Sequence, residues 1–322
     1  MKDGRVAVLL GGGMGKMVCA TSLIPKLKAK YGEVVVVNAY PEVFNFNPHI
    51  SRNLTFNEKY LEEDYLHDLQ VLTGEPYLTN EYRFERKHII AAYCKLFGVE
   101  YTEDMKPELY LSPDEELFGW NQKQQLGKYI LMHITGGTSY YSPQKADQKP
   151  VRSRDWPIVL AQEFVDKFQK VHPDVKVIQV GLQTEPRLKN VQLTNLPARM
   201  IFPLVKYADS FVGIDGFVNH VSAAFNKRGV VLWGGTDPKR LGYSQNDNML
   251  IKYDCSKPFC HKTDYYSHLG GKEMSCANQY VCMQHSPEAV LAQMTKILNS
   301  GQMTQAVPVV PAPPETNSDG EK

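Results

Sequence analysis

The sequence predicts two α/β domains in tandem, each a doubly wound parallel sheet, and three observations carry that prediction. Short apolar runs suited to buried strands alternate with segments of helical periodicity. Several of those runs end in glycine turns. At 322 residues the chain is also longer than one hydrophobic core usually serves. Residues 1–125 are assigned to the first domain, residues 126–300 to the second and residues 301–322 to a tail.

In the first domain, a strand at Val6 to Leu10 is followed by the turn Gly11-Gly-Gly-Met-Gly15 and a helix from about Met17 to Tyr31. Glu33 to Asn38 is a Val-rich run of the kind that forms a strand buried on both faces, so a βαβ unit is expected. A helix at Arg83 to Phe97 should end before Gly98. The second domain opens with a strand at Tyr129 to Ile134, then Gly136-Gly137, and a helix at Ile158 to Val171. Strands at Val175 to Val180, Ser210 to Ile214 and Gly229 to Trp233 follow, with a helix at Asn219 to Phe225 between the last two. The tail carries Pro-Val-Val-Pro-Ala-Pro-Pro and then small, polar and charged residues, so it has nothing to bury and is expected to be disordered.

Composition narrows the function classes. Hydrophobic residues are 43% and charged residues 22%, an ordinary globular balance. Lysine plus arginine number 36 against 35 acids, so no global field favours nucleic acid or an anionic membrane. An acidic ligand must be held by a local site. The apolar run from Val6 to Leu10 is too short for a signal core or a spanning helix, and a cytoplasmic protein is expected.

The turn ending Gly15-Lys16 invites a phosphate-binding reading, because glycines let backbone amides approach an anion. The formal motifs fail. A P-loop needs glycine where Leu10 stands and a hydroxyl where Met17 stands, and the dinucleotide fingerprint needs glycine at Lys16. A nucleotide triphosphatase is therefore the alternative, not the first reading.

Four features of the second domain fall at strand ends, where open α/β sheets bind ligands. Asp215-Gly216-Phe217-Val-Asn-His220 opens a helix, and unpaired amides there suit a diphosphate. Arg152-Ser-Arg154-Asp-Trp156-Pro157 offers cations before a helix. Val180-Gly-Leu-Gln-Thr-Glu185 offers a carboxylate for ribose or base, and Gly234-Gly-Thr236-Asp-Pro238 is a further turn. Each has a plainer reading: Asp215 as a helix cap, His220 as a satisfied core residue, Arg154 as a solvated charge.

The order Trp156-Pro157, Val180-Gly-x3-Glu185, Tyr207-Ala-Asp-Ser-Phe-Val-Gly-Ile-Asp215-x4-His220-x2-Ala223-Ala224 and Gly234-Gly-Thr-Asp-Pro238 resembles glycosyltransferase family 9, which includes the heptosyltransferases. The resemblance implies a GT-B architecture: two Rossmann-like, doubly wound domains facing a cleft, with a nucleotide-diphospho-sugar donor on the second and a glycan or other hydroxyl acceptor mainly on the first. It also implies an inverting transfer that needs no metal or other catalytic cofactor. Gly15, Arg154, Glu185, Asp215, Gly216, Phe217, His220 and Thr236 would bind the donor, and Lys16 and Asp215 would sit at the reacting centre.

Two departures stand out. Gly216 and Phe217 replace the family's usual hydroxyl residue and glycine, so backbone amides must hold the phosphate. The family reads Gly-Asp at the N-terminal turn, with the aspartate as proposed base, where this chain has Gly15-Lys16. An ordinary lysine, with a pKa of about 10.4, takes no proton from a hydroxyl at neutral pH. Lys16 is expected instead to offset charge on the leaving diphosphate. A noncatalytic sugar-nucleotide-binding descendant is a third reading, and self-association into a homo-oligomer is left open.

Cys255, Cys260, Cys276 and Cys282 lie within 28 residues, with His261 beside the second. Reduced thiols this close commonly ligate a tetrahedral metal, so structural zinc or iron is expected, with free thiols and disulfides as alternatives. Cysteines of this region in relatives of the family, some with bound iron, support the same reading. Cys19 and Cys94, alone in periodic segments, are expected as buried apolar residues.

Overall fold

The protein is described by a computed structural model covering residues 4–136, 153–181, 185–194, 196–255, 258–260, 276 and 278–301. Gly137, Arg152, residues 182–184, His261 and the tail from residue 302 lie outside the described residues. Two parallel sheets form. The first holds β1 (Arg5–Leu10), β2 (Glu33–Asn38), β3 (Arg52–Thr55) and β4 (Gln70–Thr73) in the order β3-β2-β1-β4. The second holds β5 (Lys128–His133), β6 (Val175–Gln179), β7 (Gln192–Leu193), β8 (Ser210–Ile214), β9 (Val230–Trp233) and β10 (Asp247–Leu250) in the order β10-β9-β8-β5-β6-β7.

Both sheets wind outward from a central strand and then restart on its other side. The carboxyl ends of β1 and β4, and of β5 and β8, are therefore the topological switch points at which ligands bind in such sheets. The four consecutive valines of β2 are buried, as a strand covered on both faces requires.

The expected long helix after the first glycine turn is two helices, α1 (Met14–Ala20) and α2 (Ile24–Tyr31), joined by a tighter turn at Thr21–Leu23. Pro25 lacks the amide that a continuous helix would bond back to Thr21, and the Thr21 and Ser22 hydroxyls donate to the Val18 and Cys19 carbonyls, each at 2.7 Å. The helix expected from Arg83 is likewise two: α3 (Asn80–Arg83) and α4 (Ile89–Phe97), separated by Arg86 at φ +53° and capped by the His88 ring on the Ile90 amide.

α5 (Pro113–Leu126) starts with a capping box between Ser112 and Glu115. It packs on α7 (Ala198–Tyr207) across Gly119, where an added Cβ would lie 2.5 Å from the Tyr207 ring. The other helices are α6 (Ile158–Val171), α8 (Phe217–Ala224), α9 (Pro238–Leu241) and α10 (Pro287–Asn299), the last packed on α6. The two sheets meet through α1 and α8, and one apolar core runs through that contact from Val18 and Leu23 to Val218 and Val221. Among the described residues no helix is long and apolar enough to cross a membrane.

Candidate active site

Asp215 follows directly on β8 at the switch point of the second sheet and is buried. Arg154 approaches it, Nη1 to Oδ2 at 3.5 Å, and its other terminal nitrogen donates to the Gly136 carbonyl just past β5. The Gly136 amide in turn donates to Asp155 Oδ1 at 2.7 Å. The loop after β5 and the Arg154-Asp155 turn are thereby tied together beside α8, whose cap residue Gly216 has no side chain to occupy the free amides. Glu185, also buried, accepts the Thr135 hydroxyl. Arg154, Glu185, Asp215 and Gly216 thus share one edge of one sheet.

Thr236 is buried, and its hydroxyl has no partner among the described residues. The next residue, Asp237, caps α9 and accepts Arg86, between α3 and α4, at 2.6 and 2.7 Å. That charge pair fastens the Gly234 to Pro238 loop to the segment that precedes α4.

Across the contact lies Gly15, in the first turn of α1. A Cβ there would come 2.9 Å from the His220 ring and 3.6 Å from the Phe217 Cα, so only glycine lets α1 and α8 approach this closely. His220 is buried with Nδ1 at 2.9 Å from the Tyr243 hydroxyl and 3.3 Å from Cys19 Sγ. Burial pushes its pKa down to about 4, with Asp215 opposing and Arg154 adding to the fall. Burial likewise raises the Cys19 thiol to about 12, so Cys19 is a packed thiol and no nucleophile.

Comparison with known proteins places this arrangement. The chain superposes on the glycosyltransferase family 9 protein of Veillonella parvula DSM 2008 with TM-score 0.65 and 13% identity over 92% of this chain and 98% of that one. The chain shares the glycosyltransferase family 9 fold. The family 9 (heptosyltransferase) model matches residues 183–269. The iron-containing dodecameric glycosyltransferase TibC from enterotoxigenic E. coli H10407 superposes with TM-score 0.61 and 12% identity over 93% of this chain and 77% of that one. Another structure of TibC is a complex with ADP-D-β-D-heptose. E. coli ADP-heptose lps heptosyltransferase II gives TM-score 0.54 and 12% identity over 93% and 100%. No curated protein matches the chain by sequence.

Two residues of this glycosyltransferase fold escaped the sequence reading. His133, the last residue of β5, lies beneath Gly216: a Cβ at 216 would be 2.5 Å from His133 Cε1. The imidazole fills the space that a hydroxyl side chain at 216 would need. Burial, reinforced by Arg154 and opposed by Asp215, lowers its pKa to about 4, and Nδ1 has no partner among the described residues. Restoring the hydroxyl with Gly216→Ser should therefore overpack this point and cost about 1–3 kcal/mol in urea unfolding. A variant as stable as the parent would refute the overlap. Glu75, just beyond β4, is the second: its Oε2 receives Lys16 Nζ at 2.6 Å. No motif marks Glu75, because it reaches Lys16 only through the pairing of β4 with β1.

The cysteines divide. Cys19 and Cys94 are buried, as expected. Of the four clustered cysteines, Cys282 is buried and Cys255, Cys260 and Cys276 are half-buried. Cys282 is raised by burial and then by the nearby Cys260 and Cys276 thiols, and the Tyr253 hydroxyl bonds the thiols of Cys255 and Cys282. The four are neighbours, yet among the described residues no group of three or more His, Cys, Asp or Glu is drawn close enough to hold a metal ion. A cavity of about 600 Å³ opens beside α3 and α4, lined by Arg86, Lys87, Lys95 and Lys239 with Glu81 and Glu103. It contains none of the residues expected to hold the donor.

Proposed function

We infer that the chain is a glycosyltransferase that moves a sugar from a nucleotide-diphospho-sugar to a hydroxyl acceptor. The observation that carries the reading is the second switch point: an uncapped helix N-terminus at Gly216, the Arg154 cation, and two buried groups with no partner among the described residues, Thr236 Oγ1 and His133 Nδ1. Helix amides and a guanidinium suit a diphosphate, and buried polar groups retained without a partner suit hydrogen bonds to a ligand. Glu185, beside Thr135, is placed for ribose or base. Because TibC, which shares the fold, forms a complex with ADP-D-β-D-heptose, an ADP-sugar is the first donor to try.

In the reaction, an acceptor hydroxyl attacks the anomeric carbon from the first-domain side, opposite the leaving diphosphate, and the configuration inverts. Arg154 and the α8 amides stabilise the charge that develops on the leaving group. No step is assigned to a metal. The cation-rich cavity beside α4 is the candidate acceptor subsite. The four clustered cysteines carry the right donor chemistry for structural zinc or iron, and the iron-containing TibC shares the fold. Elemental analysis of protein purified reduced would find about one equivalent; no stoichiometric metal would end that assignment. The same preparation, run on a calibrated sizing column, reports whether the chain assembles as TibC does.

A thermal-shift panel tests the reading. ADP, UDP or GDP should stabilise the protein without magnesium, and Arg154→Ala and Asp215→Ala should abolish the shift. Stabilisation by ATP only with magnesium would favour a triphosphatase, a role that buried Met17 in the hydroxyl's position does not serve. Nucleotide binding without sugar release would favour a binding-only protein. Unaltered donor turnover in both Lys16→Ala and Asp215→Ala would sink the transferase assignment.

A further inference from the structure

We propose that Glu75 is the general base of the transfer and that Lys16 positions it. This rests on the glycosyltransferase reading above and adds the residue that Lys16 cannot itself replace.

The first sheet brings the two residues together. β4 pairs with β1 in parallel register, Thr73 opposite Leu9, so Glu75 emerges beyond β4 level with the glycine turn beyond β1. The two loops flank the sheet's switch point. Lys16 folds back across Gly12, which has φ +111° and where a Cβ would lie 2.3 Å from Lys16 Cε. Its Nζ then meets Glu75 Oε2 at 2.6 Å and lies 5.2 Å from the centre of the Tyr77 ring. Glu75 Oε1 accepts the Tyr77 amide at 3.3 Å. Both carboxylate oxygens are thus oriented, and each keeps a lone pair for a further hydrogen bond.

Exposure separates the partners. The Lys16 side chain is 7% exposed and that of Glu75 19%, so the carboxylate is the one a hydroxyl can reach. The turn that carries Lys16 also faces the second sheet, since Gly15 packs against the His220 ring and the start of α8. Asp215 is held by Arg154 beside the donor helix, whereas Glu75 comes from the domain on the acceptor side. The step balances. The acceptor oxygen forms its bond to the anomeric carbon, the bond from that carbon to the diphosphate oxygen breaks, and the electron pair leaves with the nucleoside diphosphate. The hydroxyl proton passes to Glu75, and the Lys16 ammonium holds the carboxylate in place throughout.

The test measures nucleoside diphosphate release from ADP-heptose, UDP-glucose and GDP-mannose by the full chain and by Glu75→Gln, Glu75→Ala, Glu75→Asp and Lys16→Met. Glu75→Gln should lose about 100-fold or more in turnover while ADP binds within about threefold of the parent. Sodium formate should restore turnover to Glu75→Ala and leave Lys16→Met unchanged. The acid limb of the pH–rate profile should disappear in Glu75→Gln. Should that variant fail to fold, Glu75→Asp keeps the charge and must still lose turnover without losing ADP. Turnover within about threefold of the parent in Glu75→Gln, or in Glu75→Asp where the glutamine variant does not fold, overturns this proposal alone. A parent protein that releases no nucleotide from any of the three donors overturns the transferase reading and this step together.

Discussion

Replacing Arg199 by alanine is expected to destabilise the folded chain by about 3–5 kcal/mol, the cost of breaking a buried pair and leaving its partner charged. Arg199 is buried on α7 and reaches into the first half of the chain. Its Nε and one terminal nitrogen grip the two oxygens of Glu115 at 2.7 Å, while the terminal nitrogens also donate to the carbonyls of Glu42, at 2.9 Å, and Tyr110. The guanidinium lies between the Phe46 and Phe202 rings, at 5.5 and 5.3 Å. One side chain thus closes an ion pair, two carbonyls and an aromatic slot between segments far apart in sequence. Lysine keeps the charge but loses the planar fork, so Arg199→Lys should recover only part of the loss. Urea unfolding reads both. A loss below about 1 kcal/mol for the alanine variant would show the pair to be no more than a surface contact.

Acid should unfold the protein well above the usual carboxylate range. Burial lowers His133, His220 and His285 to about 4, and His88 to about 3, from an ordinary value near 6.5. Since the folded values are depressed, the unfolded chain binds protons first as the pH falls. Stability is therefore full above about 6.5 and is lost progressively between 6.5 and 4, by about 1.4 kcal/mol per pH unit for each histidine. His133 and His220 share the fields of Asp215 and Arg154, so the summed slope at pH 5 is of order a few kcal/mol per unit. His285, which bonds the Trp233 carbonyl at 3.1 Å, stands apart from that pair. His285→Gln should remove about a quarter of the slope while leaving the rest, which comes from His133, His220 and His88. A urea midpoint that stays flat from pH 7 to pH 5 would rule the effect out.

The elements that read correctly in the sequence are those whose pattern is local. The valine run of β2, the five-residue β8 and the fourteen-residue α6 have the bounds that periodicity indicates, because burial on both faces or one leaves its period in the residues themselves. β3, β4, β7 and β10, all short and at the outer or lateral positions of their sheets, did not. Arg52–Thr55 and Gln70–Thr73 are polar or exposed, and only pairing with a neighbour makes them strands. The split between α1 and α2 was signalled by Pro25 and the Thr21-Ser22 hydroxyls, yet the apolar spacing runs through it and hides the break.

For the site, the residue types and strand-end positions of Arg154, Glu185 and Asp215 are properties of the chain order alone, since a loop after a parallel strand must open at the carboxyl edge. Glycine at 216 and lysine at 16 were visible as departures without a cause. Tertiary structure supplies it. Gly216 answers the ring of His133, which comes from another strand, and Lys16 answers Glu75, which comes from a strand paired alongside. A side chain's partner across a sheet or a domain contact depends on register and packing, which no local period encodes. The sequence by itself thus determined the two-sheet fold and the sheet edge that gathers Arg154, Glu185 and Asp215. Only the folded chain decided which carboxylate stands opposite Lys16.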